Sequence, residues 1–311
     1  MMVEAEVIVP EAAHWRRLDE FVREQVGEWP VAAIRRAVAE GRILVNARPR
    51  TAGWRLRAGD RVAWRLAAAR DVAVPPEAFA LPTLYEDEFI LAIAKPPGML
   101  SHPTPKERAG TLLNALLAHP AFGRGNRPML LHRLDRDTSG VILVAKNDRA
   151  TQAFAPLFRE GGLSKAYVAL VIGAPEAPSG LVDAPIGRAP FLWPRWRILP
   201  DGKPAQTRFS VERTLGALSL TRFEPITGRT HQIRIHAAHL GCPVAGDMVY
   251  GRRANERLFA ETGACAPRHL LHAAEATFLH PLDKRELSVK APLPPDMAAY
   301  LMPEPVSIVC P

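Results

Sequence analysis

The chain has 311 residues, of which 48% are hydrophobic and 23% charged, a composition typical of a globular protein long enough for about two domains. Its 40 Lys and Arg residues exceed its 32 Asp and Glu residues, so a net charge of +8 favours a polyanionic partner. No run approaches the ~18 apolar residues of a membrane span, and the acidic N-terminal segment is unlike the basic start of a signal peptide. We therefore expect a cytoplasmic protein without a membrane partner.

The positive charge is concentrated in one segment. Between residues 33 and 70 there are ten arginines, including Arg35, Arg36, Arg42 and Arg48, against two acidic residues. An arginine-rich composition could decorate the whole surface in this way, but it would not place the excess in one segment. The segment therefore predicts a surface that binds a polyanion.

Residues 15–66 are predicted to form a small module around these arginines. RLDEFVREQV has apolar residues at helical spacing, and VAAIRRAVAEG predicts a second helix that starts at Pro30 and ends at Gly41. RILVN and RVAWRL then predict the two strands of a hairpin, separated by turn residues. Two helices and a hairpin would bury one small core and leave the arginines outside.

The remainder of the chain predicts a linker and a larger domain. Residues 67–82 are rich in Ala and Pro and lack periodicity, as expected of a linker. From residue 83 to residue 300, short apolar runs such as FILAIA and VILVA alternate with helical patterns such as TLLNALLAH and ATQAFAPLF. Several predicted strands follow one another without an intervening helix, which favours an α+β domain with a mixed, largely antiparallel central sheet.

The segment HRLDRDTSG, residues 132 to 140, contains the first candidate for chemistry. Asp135 and Asp137 are two residues apart and would point to opposite faces of a strand, so they do not form a glycosidase pair. Asp137 precedes Thr, Ser and Gly and is typical of a turn. For Asp135 two interpretations remain open, a buried ion pair with Arg133 and a catalytic carboxylate.

The segment ITGRTHQIRIHAAHLG, residues 226 to 241, contains three histidines and a candidate helix. His231, His236 and His239 are spaced five and three residues apart, which does not place all three on one helical face, so we predict no metal site. If Thr230 caps a helix that ends at Gly241, then Arg234 lies in its first turn. A cation there opposes the helix dipole and needs a negative partner, for which Asp135 is a candidate.

A third segment, KAYVALVIG, contains Tyr167 at the start of a predicted strand. Taken alone, this residue is a core tyrosine whose hydroxyl binds a backbone carbonyl. Its interpretation changes only when the three segments are considered together.

Two family resemblances follow from these motifs. RLDEFV, IRRAVAEGRILVNARP and LRAGDRV resemble the RNA-binding module of small-subunit ribosomal protein S-four, which often has Gly where this chain has Ala47. HRLDRDTSG, KAY, DGKPAQT, TGRTHQIRIHAAHLG and GDMVYG, in this order, resemble the RluA-type pseudouridine synthases. KPPGMLSHPT and LLHAAEATFLHP fit the same family, so the resemblance covers nearly all of residues 83–292.

The resemblance to the synthases implies a reaction and a set of site residues. The family isomerises uridine in RNA to pseudouridine after flipping the nucleotide out of its helix. By resemblance, Asp135 is the catalytic aspartate, Arg234 pairs with it, and Tyr167 packs on the target base and assists proton removal from carbon 5. Arg133 matches the arginine that fills the vacated place in the base stack. A guanidinium beside the aspartate would favour its charged form.

The resemblance also implies the substrate and partners. Family members with the N-terminal module usually act on large-subunit (23S) ribosomal RNA, with Arg35, Arg36, Arg42 and Arg48 as candidate RNA contacts. Isomerisation needs no cofactor and no metal, and we expect a monomer. Two alternatives remain open, a transfer RNA substrate and a non-catalytic RNA-binding or ribosome assembly factor. A further alternative is a metal-dependent hydrolase that uses the histidines, and such an enzyme would lose its activity on chelation.

Overall fold

The structure is a computed structural model that describes residues 2–26, 29, 31–67, 74–104, 107–122, 127–189 and 192–301. The chain divides into two compact units, Met1–Ala73 and Val74–Pro311. The predicted helix start at Pro30 and positions 68–73 of the predicted linker lie outside the described residues. Ala67, the first residue of the predicted linker, instead ends a strand, and residues 74–82 contain neither helix nor strand.

The first unit places two helices against a small antiparallel sheet. Its elements are β1 (Met2–Ile8), α1 (Leu18–Val26), α2 (Val31–Ala39), β2 (Ile43–Val45), β3 (Arg48–Pro49) and β4 (Arg61–Ala67). The strand order is β1-β4-β2-β3. The apolar faces of the helices and the sheet bury one core, in which Phe21, Ile34 and Val62 are almost wholly shielded from solvent. The sequence predicted both helices and the antiparallel pair of β2 and β4. It did not predict β3, which lies in the expected turn between them, or β1, which pairs with β4 over its whole length.

The hairpin turn between β2 and β3 has an unusual backbone. Asn46 and Ala47 have φ angles of 51° and 59°, the left-handed values that a two-residue hairpin turn requires at both positions. Glycine adopts them freely, whereas alanine incurs a cost of about 1–2 kcal/mol. The Asn46 side chain stabilises the turn, since it accepts from Arg61 N at 2.9 Å and donates to Asp60 at 2.8 Å. The turn therefore forms although Ala47 replaces the usual glycine.

The second unit is built on one large sheet. Its strands are β5 (Thr83–Glu86), β6 (Ile90–Lys95), β7 (Met129–Leu130), β8 (Ser139–Ala145), β9 (Leu163–Ile172), β10 (Ser179–Asp183), β11 (Ile186–Arg188), β12 (Trp196–Ile198), β13 (Gln206–Leu215), β14 (Leu218–Pro225), β15 (Leu271–Leu279) and β16 (Glu286–Lys290). Its helices are α3 (Leu112–Leu117), α4 (Asp148–Glu160), α5 (Gln232–His239), α6 (Arg252–Thr262) and α7 (Pro295–Ala298). No described helix has the length and apolar character needed to cross a membrane.

The large sheet has the order β10-β13-β14-β9-β15-β8-β6-β5, with β16 on β15 and β7 on β8, while β11 and β12 pair separately. Within the described part of this sheet, β8 and β15 are parallel and the other pairs are antiparallel. The predicted α+β class with a mixed, largely antiparallel central sheet is therefore confirmed.

The parallel contact between β8 and β15 depends on a glycine. Gly140 has a φ of 117°, and a Cβ at this position would lie 2.2 Å from the carbonyl oxygen of Ala273. Only glycine permits both the backbone angle and this close approach. Gly140 thereby fixes the first residues of β8, a few positions after Asp135.

Candidate active site

The segment that carries Asp135 is held by a buried lysine. Lys95 ends β6 and is 1% exposed. Its Nζ donates to the carbonyl oxygens of Pro96, Met99 and Arg136 at 2.7, 2.8 and 2.8 Å. These bonds use the three N–H groups of an ammonium. Burial lowers the pKa of Lys95 to about 7, while the negative charge of Asp137 acts in the opposite direction. Lys95 thus joins the loop after β6 to the loop before β8.

Further buried bonds fix the same segment on either side of Asp135. Ser101 Oγ donates to the carbonyl of Leu134 at 2.9 Å and lies 3.2 Å from its N–H. Arg268 donates to the carbonyl of Asp137 at 2.8 Å, and the Oγ1 of Thr138 lies 2.9 Å from His269 Nε2. Because the backbone is bonded at 134, 136 and 137, the Asp135 side chain has a defined position. The sequence did not reveal these supports.

Helix α5 begins differently from the prediction. Its N-cap is His231, with a left-handed φ of 57° and no side-chain cap, and not Thr230. The reason is the Gln232 side chain, whose Oε1 accepts from Arg229 N at 2.9 Å and from the Thr227 hydroxyl at 2.8 Å. This amide binds the polar groups of the loop before the helix. The predicted N-cap at Thr230 is therefore wrong. Arg234 still lies in the first turn and points inward.

Arg234 is placed between two carboxylates. Its Nη1 donates to Asp135 Oδ2 at 3.2 Å, while Nε and Nη2 donate to the two oxygens of Asp247 at 2.7 and 2.9 Å. The Arg234 side chain is 7% exposed and that of Asp247 is fully buried. Burial by itself would lower the pKa of Arg234, but Asp247 and Asp135 outweigh it and raise that pKa. The cation that the helix dipole disfavours is therefore compensated twice.

Asp247 is in turn fixed by its own surroundings. Its Oδ1 also accepts from the backbone N–H groups of Val249 and Tyr250 at 3.0 and 3.1 Å. Burial would raise the pKa of Asp247, but the Arg234 guanidinium and these N–H groups hold it below its ordinary value. Because Asp247 is fixed and bidentate, it orients the Arg234 fork so that one nitrogen faces Asp135.

These side chains line a cavity of about 290 Å³. Small-molecule sites commonly measure ~300–1,000 Å³, so this volume suits one nucleobase better than a longer ligand. Asp135, with a side chain 27% exposed, lies in its wall. Other lining residues come from the segment before β8, from β9, from the loop before α5 and from α5 itself: His132, Arg133, Thr138, Lys165, Tyr167, Gly228, Thr230, His231 and Arg234.

Tyr167 lines this cavity. It lies on β9 between Phe223 of β14 and Ala273 of β15, and its ring packs against the core. No described residue forms a hydrogen bond with the Tyr167 hydroxyl. Among these residues, Tyr167 therefore lacks the backbone carbonyl acceptor expected of an ordinary core tyrosine. Burial, followed by the negative charge of Asp135, raises the pKa of Tyr167.

Arg133 does not pair with Asp135, which excludes the buried pair that the sequence left open. It is exposed at the rim of the cavity, and its Nη2 donates to the Thr230 hydroxyl at 3.1 Å. His231 is closer to the aspartate, with Nε2 3.8 Å from Asp135 Oδ2 and Nδ1 2.8 Å from the Tyr250 hydroxyl. Burial lowers the pKa of His231.

The three histidines of the α5 segment are not arranged as metal ligands. His236 is buried with its two ring nitrogens 2.8 Å from the Thr207 hydroxyl and 3.1 Å from the carbonyl of Ala184, whereas His239 is exposed. Among the described residues, one group could in principle ligate an ion: Asp87, His280 and Asp283.

That group lies outside the cavity lining and already contains a cation. Arg285 donates to Asp283 at 2.8 Å, and its Nη2 lies 3.4 Å from Asp87. A metal ion there would be repelled by this guanidinium, so the cluster is best described as an ion-pair network.

The predicted RNA-binding arginines of the first unit differ in their partners. Arg35 donates to the buried Asp19 at 2.6 Å, and Arg42 forms an ion pair with Glu40. The exposed Arg36 and Arg48 form no side-chain hydrogen bond or ion pair with any described residue. Arg36 and Arg48 therefore have unpaired guanidinium groups available for an anionic ligand.

Comparisons with known proteins identify both units. The profile of the S4 domain matches residues 16–62, and that of RNA pseudouridylate synthase matches residues 90–239. Ribosomal large subunit pseudouridine synthase D of Nitrosomonas europaea is 36% identical, covering 95% of this chain and 86% of that protein. The chain belongs to the RNA pseudouridine synthase family. Synthase C of Escherichia coli is 38% identical, with 89% of each chain covered.

A solved structure agrees with this membership. Human RNA pseudouridylate synthase domain containing 1 has a TM-score of 0.58 and 27% identity, covering 73% of this chain and 89% of that one. The predicted family, its enzyme class of RNA-modifying isomerases and the RNA-binding type of the first unit are thus confirmed. In this synthase, the structure brings Asp135, Arg234 and Tyr167 to one cavity with Arg133 at its rim. Asp247 is a functional residue that the sequence alone does not single out, although it lies in the GDMVYG motif.

Proposed function

We propose that this chain isomerises uridine to pseudouridine in 23S ribosomal RNA, with Asp135 as the catalytic carboxylate. The observation that carries the proposal is the 3.2 Å contact between Asp135 and Arg234 in a cavity the size of one base. Breaking the bond between N1 and C1′ of uridine requires a carboxylate that bonds the sugar or the base, or removes a sugar proton. Arg234 stabilises the charge of that carboxylate, and Asp247 positions Arg234.

Tyr167 packs on the target uracil. Its ring forms part of the cavity wall and its hydroxyl is not engaged by any described residue. The raised pKa keeps the phenol protonated at neutral pH, which favours packing on the base over removal of the proton from carbon 5.

Arg133 replaces the flipped nucleotide in the RNA stack. Extruding a base costs a few kcal/mol in lost stacking and pairing. An exposed guanidinium at the cavity rim, bound only through one 3.1 Å hydrogen bond to Thr230, exchanges that bond at little cost and stacks as a planar cation in the gap.

The domain assignment follows the motifs. Residues 15–66 form the RNA-binding domain, residues 67–82 the linker and residues 83–300 the catalytic domain. Arg36 and Arg48 contact phosphates directly, whereas Arg35 and Arg42 contribute charge while bound to acidic side chains.

The enzyme acts as a monomer, because one chain supplies all the proposed catalytic groups. It acts in the cytoplasm on ribosomal RNA, and an isomerisation involves no net redox change or group transfer that would need a cofactor or metal.

The substrate assignment is tested by mapping pseudouridines with carbodiimide labelling in RNA from cells with and without the gene. We expect at least one position in large-subunit ribosomal RNA to lose its label on deletion and to regain it with the native gene but not with Asp135→Asn. Loss confined to transfer RNA would favour the transfer RNA alternative. Unchanged labelling in every RNA would favour a non-catalytic binding or assembly role.

A further inference from the structure

Among the residues that the structure describes, Lys165 is one of four Lys and Arg side chains in the cavity wall, together with Arg133, Arg229 and Arg234. It lies on β9 two residues before Tyr167, so both side chains leave the same face of the strand and line the cavity. Arg133, Arg229 and Arg234, by contrast, donate to Thr230, to the carbonyl of Pro204 and to two carboxylates. No described residue forms a hydrogen bond or an ion pair with the Lys165 ammonium.

Within the described part of the chain, the Lys165 ammonium lacks the partner that burial normally requires. Lys165 is partly buried, and burial lowers its pKa from the ordinary value of 10.5. Its Nζ lies beside Gly228, where a Cβ would approach it to 3.9 Å. An unpaired charge removed from water is unfavourable compared with an apolar side chain of the same size. The unpaired ammonium therefore points to an anionic group that enters the cavity with the substrate.

The proposed reaction generates such an anion on the base. When the bond between N1 and C1′ breaks, its electron pair stays on the uracil and spreads over N1, O2 and O4. Asp135 either bonds C1′ or takes the proton of C2′. Carbon 5 then bonds C1′ as the bond between Asp135 and C1′ breaks, or as Asp135 returns the proton to C2′; the proton of carbon 5 leaves to solvent, and N1 gains a proton. Both routes pass through a negatively charged uracil. Addition of Asp135 to the base, the third possibility, also places negative charge on the ring, and the added bond breaks again before the product leaves.

We propose that the Lys165 ammonium contacts a carbonyl oxygen of the flipped uracil and stabilises the negative charge left on the base when the glycosidic bond breaks. This inference rests on the proposed function and adds a catalytic residue to it. A contact with phosphate is the alternative use of a lysine. The base is favoured because Lys165 shares its strand face with Tyr167, whereas the exposed Arg133 at the rim is the cation better placed for the RNA backbone.

The test uses Lys165→Met, which removes the charge and keeps a similar length. Short stem-loop transcripts of large-subunit ribosomal RNA that the native protein modifies are made with uridine or with 5-fluorouridine at the target position. Fluorine withdraws electrons and makes the uracil a better leaving group. It also blocks the loss of a proton from carbon 5, so disappearance of 5-fluorouridine in single turnover measures bond cleavage.

We expect Lys165→Met to slow cleavage of uridine by about 10²–10³-fold, the usual loss for one group that stabilises a developing anion. The loss should be at least about tenfold smaller with 5-fluorouridine, because the better leaving group depends less on Lys165. RNA affinity and its salt dependence should stay unchanged. Lys290→Met, at a lysine whose side chain is 71% exposed, is the matched control and should behave as native.

Lys165→Arg keeps the charge and should retain most of the native rate. Because the pKa of Lys165 is lowered, the native cleavage rate should decline at alkaline pH below the ordinary lysine range, and in Lys165→Arg this decline should move to higher pH. The melting temperature of Lys165→Met should equal or exceed the native value, since an unpaired charge is removed. This arginine variant keeps the inference testable if the methionine variant fails to fold.

Three results would overturn the inference. Weaker RNA binding with a smaller salt slope and a native rate once bound would assign Lys165 to a phosphate. Equal losses with both nucleotides, or no loss with either, would show that Lys165 does not stabilise the leaving group. If the native protein modifies no transcript, the proposed function itself fails, which the native control separates from failure of the role of Lys165.

Discussion

Replacing Asp247 with asparagine removes the charge that orients Arg234 and changes little else in shape. In the native structure two of the three side-chain bonds of Arg234 go to Asp247, and one goes to Asp135. Asparagine can still accept from the backbone N–H groups of Val249 and Tyr250 through its single carbonyl oxygen. Its amide nitrogen, however, faces a guanidinium that can only donate.

The expected magnitude follows from this geometry. Removing one member of a buried ion pair costs about 3–5 kcal/mol of unfolding free energy, because the other charge is left without a partner. Arg234 keeps Asp135 as a second partner, so we expect a value near the lower end, about 3 kcal/mol. The freed guanidinium is no longer directed at Asp135, and a displacement of about 1 Å at a reacting group costs about 10²-fold in rate.

The assay combines urea unfolding followed by circular dichroism with single-turnover pseudouridine formation. Glu107→Gln is the matched control, since it breaks the ion pair of Glu107 with Arg136, whose side chains are 45% and 44% exposed. An exposed pair contributes at most about 1 kcal/mol, so this control should be nearly as stable and as active as the native protein. If Asp247→Asn lost no more stability and no more activity than Glu107→Gln, the positioning of Arg234 by Asp247 would be refuted.

Three further variants or conditions test the supports of the site. Lys95→Met should lower the unfolding free energy by at least about 3 kcal/mol, because three buried carbonyls lose their donor, and a native urea midpoint would contradict this. Gly140→Ala should lower the urea midpoint far more than Gly216→Ala. A Cβ at 140 would overlap the backbone of β15, whereas one at 216 meets nothing within 4 Å. Equal midpoints for the two variants would be inconsistent with the parallel β8–β15 contact. Burial lowers the pKa of His269 to about 3 and also lowers that of His236, so both stay neutral in the folded protein while the unfolded chain takes up protons below the ordinary value of 6.5. The unfolding free energy should therefore be highest above pH 6.5 and fall at pH 5 by up to about 2 kcal/mol on account of His269, with a further loss from His236. Equal stability at pH 7 and pH 5 would exclude this origin.

Local patterns in the sequence predicted the elements that carry their own signal. The spacing of Leu18, Phe21 and Val22 and the run SGVILVA are found as α1 and β8. Strand β15 was not recognised as a strand because LHAAEATFL is rich in alanine and lacks apolar and polar alternation, although it lies at the centre of the sheet. Strand β1 does carry a local signal, because Val3, Ala5 and Val7 alternate with Glu4 and Glu6, but the predicted module begins at residue 15 and leaves it out.

The site was predictable where a charge demanded a partner. A cation in the first turn of a helix opposes the helix dipole and needs a nearby negative group, so the sequence predicts Asp135 as the partner of Arg234. The larger share of that compensation comes from Asp247, whose approach depends on a turn after the helix that spacing alone could not place. The role of Lys95 could not be predicted for the same reason. Its hydrogen-bond acceptors are backbone carbonyls, which no sequence pattern identifies.

Asp135→Asn in single turnover on large-subunit ribosomal RNA tests the central claim most directly. The substitution preserves shape and the contact with Arg234 through the carbonyl oxygen, so the variant should fold and bind the RNA with native affinity. It should form no detectable pseudouridine by carbodiimide labelling, while the native protein labels its target fully. Pseudouridine formation by the variant at the native rate would contradict a catalytic role for the carboxylate at position 135.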